Sequence, residues 1–461
     1  MRLRKLVKFV PVLAVLVALS CLGGICSDEE RHNVVLFIID TLPAEHSSAY
    51  GYERSTTPNL KRFSEDGILF KHAVAPSPWT LPSIASIFTG NYPSRHLAGW
   101  HLEPYTKEDR QLAVMRQEMV TLAEMFQNHG YQTVGFFNNP FTHPGYGLKK
   151  GFDMYDHVGG DNLNIRGAKQ TTDDAIRWID LHGEKPFFMV VHYFDPHLAY
   201  NPPIDFALPY IAFYEGELKN PFNPELSEVR SGELKLSEED KEFIVGLYDG
   251  EVAAVDSQMG RLMGYLRAKK LYDNSLIIVT ADHGEEFWQH GGFEHGHSLH
   301  REVVEVPLVM KYPGVDYAGK EVSEYISLVD IFPTVAEFMK WPLPFSIDGV
   351  SLYPRAGRLT VLPHSLVSEN IHYGPQKQAF YADGFKLIVT RLTGETRVYD
   401  LSEDPYEKND VFGKVEVPES VKFQIEHIAK NLQEHLEKGT PEAAMIDEET
   451  LEKLKSLGYL E

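Results

Sequence analysis

Five short apolar runs, at positions 33–39, 133–137, 187–192, 275–280 and 306–310, recur along the chain with helix-like patterns between them. Each is rich in Val, Ile, Leu, Met or Phe and lacks the polar alternation of a strand with one wet face, so each reads as a strand covered on both sides. The intervening patterns at 171–181, 238–269 and 328–339 read as helices. This alternation predicts an α/β fold: a large, doubly wound, mostly parallel sheet flanked by helices, with ligand sites beyond the carboxyl ends of its strands. From about residue 341 the texture changes. Asp348–Gly349, Asp383–Gly384 and Thr393–Gly394 punctuate short strand-like runs at 385–389 and 396–399, which predicts a smaller α+β part on an antiparallel sheet, closed by a helix over 418–438. The boundaries are therefore 31–340 for the α/β part and 341–461 for the C-terminal one. The stretch 200–236, rich in Pro, Asn and Glu, reads as a surface insertion, a plain loop or a shaper of substrate entry.

Residues 1–27 are of another kind. A basic start, Met1-Arg-Leu-Arg-Lys5, precedes an apolar run over 9–25 and an acidic Ser27-Asp-Glu-Glu30, the pattern of an export signal or of a membrane or lipid anchor. The expected location is the cell envelope, periplasm or extracellular space, with the N-terminus cleaved, lipidated or retained. Cys21 and Cys26 are the only cysteines, so the body has no disulfide framework, thiolate metal site or cysteine nucleophile. A net charge of -22 excludes a sequence-independent grip on nucleic acid, which needs clustered Lys and Arg. An anionic ligand must instead be attracted locally, and a bound cation does this.

The residues able to carry chemistry sit just after the apolar runs. Asp282-His283-Gly284-Glu285 follows the run ending at Thr280, and Asp40 ends the first run. Carboxylate and imidazole together suit zinc, manganese or calcium. An Asp-His pair alone is commonly a loop cap beside a surface histidine, but here a second carboxylate is expected on the same sheet edge. Thr80, in Pro78-Trp-Thr-Leu-Pro-Ser83, stands at the start of an apolar helix that closes at Gly90. It is either a helix cap or a nucleophile whose hydroxyl a metal activates, beside a helix terminus suited to anions. His192, Asp195 and His197 follow the third run: Asp195 has the form of a turn residue and His192 that of a satisfied core histidine, which leaves His197 as the functional candidate. A histidine-rich stretch, His290, His295, His297 and His300, is a surface loop, a second metal site or a substrate contact.

Taken in chain order, further motifs join these. Asn33-Val-Val-Leu-Phe-Ile-Ile-Asp40-Thr41, Tyr50-Gly-Tyr52, Thr57-Pro-Asn-Leu60, Ser77-Pro-Trp-Thr-Leu-Pro-Ser83 and Tyr92-Pro-Ser-Arg-His96 lead to Asp282-His-Gly-Glu285. Val306-Pro-Leu308, Asp330-Ile-Phe-Pro-Thr334, Asp348-Gly-Val-Ser-Leu352, Tyr399-Asp-Leu-Ser-Glu-Asp-Pro405 and Leu454-Lys-Ser-Leu-Gly-Tyr459 follow. Together they resemble the sulfatase family of alkaline-phosphatase-like enzymes over nearly everything after residue 30. The resemblance implies a catalytic 31–340 domain in which Asp40, Asp282 and His283 bind metal and the residue at position 80 is the nucleophile.

The departures redirect the expectation. The family's Cys-x-Pro-x-Arg stretch, whose Cys or Ser becomes formylglycine, reads Thr80-Leu-Pro82-Ser-Ile84 here. The paired aspartates of the first strand are Asp40-Thr41, the lysine expected after His295-Gly296 is His297, and a Lys-x-His contact is replaced by Phe137-Asn138-Asn139. These changes resemble the phosphodiesterase and alkaline-phosphatase relatives, which work with two metals and a Ser or Thr nucleophile. One or two divalent metals are then expected: a first site of Asp40, Thr80, Asp282 and His283, and a second drawing on Asp195, His197 and His297, with Thr80, His197 and His297 catalytic. The expected activity is hydrolysis of anionic phosphate or sulfate esters, glycan-borne or lipid-linked, with phosphoryl esters favoured. The alternatives are a sulfuric ester hydrolase on glycans or aryl sulfates, a cell-envelope transferase of phospho-groups, and a non-catalytic anion-binding protein.

Overall fold

Strand β1 (Asn33–Ile39) is buried along its whole length, as are β5 (Phe187–Tyr193), β6 (Ser275–Ala281) and β9 (Glu305–Lys311). The computed structural model describes residues 31–101, 112–159, 166–224, 228–229, 233–314, 317–343, 346–354, 359, 361, 364, 366–391, 393–423 and 442–456. With β2 (Ile68–Val74), β3 (Gln132–Phe137), β4 (Met154–His157) and β10 (Lys320–Ser327), these strands form an eight-stranded sheet in the order β10-β2-β9-β6-β1-β5-β3-β4. β1 lies parallel between β5 and β6, with Ile39 opposite both Tyr193 and Ala281. β9 pairs antiparallel with both β6 and β2, so it alone runs against the other seven. The chain returns from β6 to β9 through a small hairpin, β7 (Glu286–Phe287) with β8 (Phe293–Glu294), rather than through a crossover helix, and a return without a crossover gives an antiparallel neighbour.

All five apolar runs are strands of this sheet, and the sheet is mostly parallel, as the alternation predicts. The three strands that the pattern did not mark have physical reasons for being faint. Lys71 and His72 interrupt β2, β4 has four residues, and β10 is an edge strand with a mostly solvated outer half. The helices are α1 (Pro58–Glu65), α2 (Thr80–Thr89), α3 (Leu122–Asn128), α4 (Ala168–His182), α5 (Ile204–Ile211), α6 (Glu238–Ala268), α7 (Ile331–Phe338) and α8 (Glu448–Ser456), besides shorter helical turns. Capping boxes at Thr121–Glu124 and Ser237–Asp240 start α3 and α6 by satisfying first-turn amides. The insertion after residue 200 is not a plain loop. It carries α5, which packs on α6 where Gly246 and Gly250 let the backbones approach; a Cβ on Gly250 would lie 3.0 Å from Ala207 Cα.

A second, antiparallel sheet follows, β11 (Leu366–Glu369), β12 (Lys377–Ala382), β13 (Phe385–Thr390) and β14 (Thr396–Asp400) in sequential order. It agrees with the turn signals. Ala379 and Ile388 of this sheet belong to the same continuous core as β1 and β6, and Asn33–Glu461 forms one compact unit. The expected closing helix begins at Glu419 but lies mostly outside the described residues, as does the N-terminal export or anchor segment. Among the described residues no helix is long and apolar enough to cross a membrane.

Ile278 sits at mid-strand in β6, between β9 and β1, and is 1% exposed. Ile278→Ala leaves a cavity that neighbouring strands cannot close, and it is expected to cost about 2–5 kcal/mol, read as a lower midpoint in chemical denaturation at unchanged slope.

Candidate active site and metal centre

Because β1 and β6 are adjacent and parallel in register, the residues that follow them, Asp40 and Asp282, emerge side by side at one sheet edge. The next strand, β5, brings His192 to the same edge, and β3 leads into Asn139. Helix α2 completes the group. Its N-cap is Trp79, with extended backbone angles, so Thr80 is the first helical residue and no side-chain cap is made. Its Oγ1 points instead at the two aspartates' neighbours, which sets the capping role aside.

Thr80 Oγ1 lies 3.3 Å from His283 Nε2, and Asn139 Nδ2 donates to Thr80 Oγ1 at 3.2 Å and to Asp40 Oδ2 at 2.7 Å. The Asn139 amide has a fixed sense because its Oδ1 accepts from the Phe141 amide at 2.8 Å. His283 Nε2 stands 3.5 Å from both Asp40 Oδ1 and Asp282 Oδ2. Ser83, one turn into α2, donates to the Asp282 carbonyl at 2.5 Å and ties the helix to the strand end. The first-turn amides of α2 have no intrahelical acceptor and form an anion-attracting terminus beside Thr80.

Asp40, Asp282 and His283 are fully buried, and one ligand atom from each lies within 4.8 Å of the others, the one such group among the described residues. Asp40 Oδ1 and Asp282 Oδ2 are buried without a hydrogen-bond partner, the condition a native site tolerates when something else satisfies it. Ligands about 2.1 Å from a shared tetrahedral ion lie about 3.4 Å apart, close to the separations seen. A divalent cation therefore fits the donor set. Without one, burial lifts the Asp282 carboxyl to about 7 against amide hydrogen bonds from His283 and Thr41, and Asp40 rises through burial and then through the charge of Asp282. Burial also lowers His283 to about 3, so its imidazole is neutral and able to ligate.

The second set expected from the sequence is not brought together. Asp195 is turned toward α4, where its Oδ2 accepts from the Ala168 amide at 2.7 Å and serves the start of that helix. His297 Nε2 meets Glu286 Oε2 at 2.9 Å within the β7–β8 hairpin. His197 does face the centre: its ring lies 5.0 Å from that of His295, which is 4.4 Å from that of His283. Ile84, at the position of the missing arginine, is fully buried in α2. Two site residues were under-read from sequence. Asn139 appeared only as a replacement for a family contact, and His192 is not a satisfied core histidine. Both its ring nitrogens are buried without a hydrogen-bond partner, and its Nε2 lies 3.5 Å from Asp40 Oδ2. For Asn139 the signal was its place just past the second apolar run, and for His192 an imidazole at the end of the third. Glu285 joins them by holding His295 Nδ1 at 2.8 Å, with Tyr200 donating to its other oxygen at 3.1 Å.

Comparison with known proteins gives the lineage. The family described as Sulfatase matches residues 32–340, and that described as N-sulphoglucosamine sulphohydrolase, C-terminal, matches 288–438. An N-acetylglucosamine-6-O-sulfatase of Bacteroides thetaiotaomicron is 25% identical, covering 88% of this chain and 87% of its own. A multifunctional alkaline phosphatase superfamily protein of Trinickia caryophylli is 25% identical over 70% of this chain and 77% of its own. Among solved structures, a protein in complex with its substrate D-glucosamine-2-N,6-O-disulfate superposes with a TM-score of 0.71 at 22% identity, covering 89% of this chain and 99% of that one. The phosphonate monoester hydrolase of Agrobacterium radiobacter gives 0.67 at 19% identity, covering 88% and 96%. These structural likenesses establish the fold, and the family match across two thirds of the length establishes the lineage: the chain belongs to the sulfatase family, the metal-dependent ester hydrolases of the alkaline-phosphatase-like superfamily.

Proposed function

We propose that this sulfatase-family hydrolase cleaves anionic esters through Thr80 as a covalent nucleophile, with phosphoryl esters preferred to sulfuryl ones. The observation that carries the reading is the contact of Thr80 Oγ1 with His283 Nε2 at 3.3 Å, inside the buried Asp40–Asp282–His283 group. Asp40, Asp282 and His283 would hold a divalent cation, which would supply positive charge to lower the hydroxyl pKa and polarise the ester. Asn139 donates to Thr80 Oγ1, which favours the deprotonated oxygen that attacks. The α2 N-terminus faces the charge that develops on the ester's peripheral oxygens. Thr80 Oγ1 gives its proton to solvent and forms the new bond to phosphorus, the bond to the leaving oxygen breaks, and that oxygen takes a proton from solvent. Of the two imidazoles expected to be catalytic, His197 faces the centre, whereas His297 is engaged with Glu286. Water then cleaves the Thr80 ester at phosphorus.

A Thr ester of phosphate can be opened in this way. Release of sulfate through formylglycine follows a different course that Thr80 cannot provide, which supports the phosphoryl preference. A sulfuric ester hydrolase on glycans is the second reading, and it draws support from relatives whose names record glucosamine-type sulfate esters. Turnover of aryl phosphate, bis-aryl phosphate, phosphonate monoester and aryl sulfate by the metal-loaded protein distinguishes the two. Faster sulfate than phosphoryl cleavage would overturn the preference.

Thr80→Ala is expected to lower kcat at least about 10³-fold while metal content stays stoichiometric, and Thr80→Ser to keep substantial turnover. Full activity in the alanine variant would sink the covalent route.

The buried acids give a pH signature. Raised carboxyl pKa values mean that the metal-free native state holds protons which the unfolded chain has already released, so stability falls as pH rises between about 4 and 7. Buried neutral His283 contributes in the opposite direction over this interval, so the signature is read as a difference: relative to Asp282→Asn, the chelated parent should lose melting temperature between pH 5 and pH 7. Metal affinity should rise over the same interval, with proton release visible as buffer-dependent binding heats. Asp282→Asn should abolish the stoichiometric metal, while burial still holds the Asp40 carboxyl above its ordinary value.

A further inference from the structure

His192 is the buried group that this mechanism leaves unused. It is fully enclosed in β5, its ring stacks on Phe137 with centroids 6.2 Å apart, and neither ring nitrogen has a hydrogen-bond partner. Burying an unsatisfied polar atom costs stability, so a phenylalanine or leucine in this apolar slot would stabilise the fold. An imidazole kept there at such a cost points to a role outside folding.

Its surroundings say which. Ile38 pairs with His192, and Asp40 lies two residues further on β1, on the same face. His192 Nε2 reaches to 3.5 Å of Asp40 Oδ2, at the outer limit of a hydrogen bond, on the side where Asn139 already donates. The other carboxylate oxygen, Oδ1, faces His283 and has no partner. The backbone under the ring is pinned as well: Asn138 Nδ2 donates to the His192 carbonyl at 2.6 Å, and the buried Arg166 Nε holds Asn138 Oδ1 at 2.6 Å.

We propose that His192 is a positioning residue of the metal centre: with Asn139 it occupies the Oδ2 side of Asp40, as an Nε2–H donor, and so turns Oδ1 toward the cation. The proposal rests on the metal-centre reading above. Outer contacts to ligating carboxylates orient them and tune affinity. Here the contact also answers a loss, because Thr41 stands where the family resemblance implies a second aspartate, leaving Asp40 as the one carboxylate of its strand end.

The test uses Zn²⁺ titration of the metal-free chain against a chromophoric chelator, together with the visible spectrum of the Co²⁺-loaded protein and thermal melts without metal. His192→Phe should lose about 10–100-fold in Zn²⁺ affinity, while His192→Gln, whose Nε2 can replace the donor, should stay within about threefold of the parent. The Co²⁺ spectrum should be the same in all three, and the metal-free melting temperature of His192→Phe should equal or exceed the parent's. His192→Leu serves the same purpose if the phenylalanine variant does not fold. Unchanged Zn²⁺ affinity in the apolar variant overturns the proposal. So does equal loss in His192→Gln with a shifted Co²⁺ spectrum, which would make His192 a direct ligand. A parent chain that binds no stoichiometric Zn²⁺, Mn²⁺ or Ca²⁺ would overturn the metal-centre reading itself.

Discussion

Two buried carboxylates at neighbouring strand ends are the constraint on which the site depends. Asp40 and Asp282 are fully enclosed, and each has an oxygen with no hydrogen-bond partner. Burial opposes ionisation of both, and the charge of Asp282 raises Asp40 further. The sheet imposes this arrangement through register alone, since Ile39 opposite Ala281 makes the next residues of β1 and β6 neighbours. A slip of one residue between these strands would turn one carboxylate to the opposite face. The long buried runs that lock the register are thus also what forces the acids together.

Much of this was legible in the sequence, for a physical reason. Strands buried on both faces must be apolar throughout, so β1, β3, β5, β6 and β9 announce themselves, and the polar residue ending each is conspicuous. Asp40, Asp282 and His283 were readable as one group because a parallel sheet delivers strand ends to a single edge, whereas Thr80 joined them through the family resemblance. What composition and order cannot reveal is the direction of a side chain. Asp195 and His297 have the right chemistry at plausible positions, yet one serves the amide of Ala168 and the other the carboxylate of Glu286. His192 presents the converse. Its place in an apolar run gives it the look of core, and only the missing hydrogen bonds distinguish it.

The histidine-rich stretch after β6 illustrates the same point. His300 Nδ1 and Lys386 Nζ both hold Glu407, at 2.9 and 2.7 Å, while His290 bonds Glu302 at 2.6 Å through one nitrogen and the Glu407 carbonyl at 2.9 Å through the other. Burial works against the Glu407 charge, but Lys386 and His300 keep its carboxyl at about 2. A buried pair of this kind contributes little net stability over an apolar replacement, yet removing one partner is costly. Its effect is to fix where the four-stranded sheet sits against the loop carrying His295. Gly296 is held to the same sheet's approach segment by the amides of His372 and Tyr373, and to the α2 approach by its own amide on Pro78. Two histidines of the stretch are therefore structural, and His295, fixed by Glu285, is the one delivered to the site.

Thr80, the nucleophile we propose, shows how local structure can stand in for a cationic side chain. Ile84 occupies the place where the family resemblance implies an arginine, one turn along α2 from Thr80. An arginine there would bring a full charge and five donors, whereas the helix terminus offers partial charge from amides already ordered by folding. Thr80 is β-branched, which restricts its χ1, and its hydroxyl is drawn between Asn139 and His283 rather than back onto the helix. The result is a neutral pair of partners around one oxygen, Asn139 donating to it and His283 Nε2 accepting, with Nδ1 on the Gly284 carbonyl, so the counter-charge for ionised Asp40 and Asp282 would come from a bound cation. Charge on the substrate is then met chiefly by whatever neutralises those acids, so binding of the cation and recognition of the anion are two aspects of one electrostatic balance.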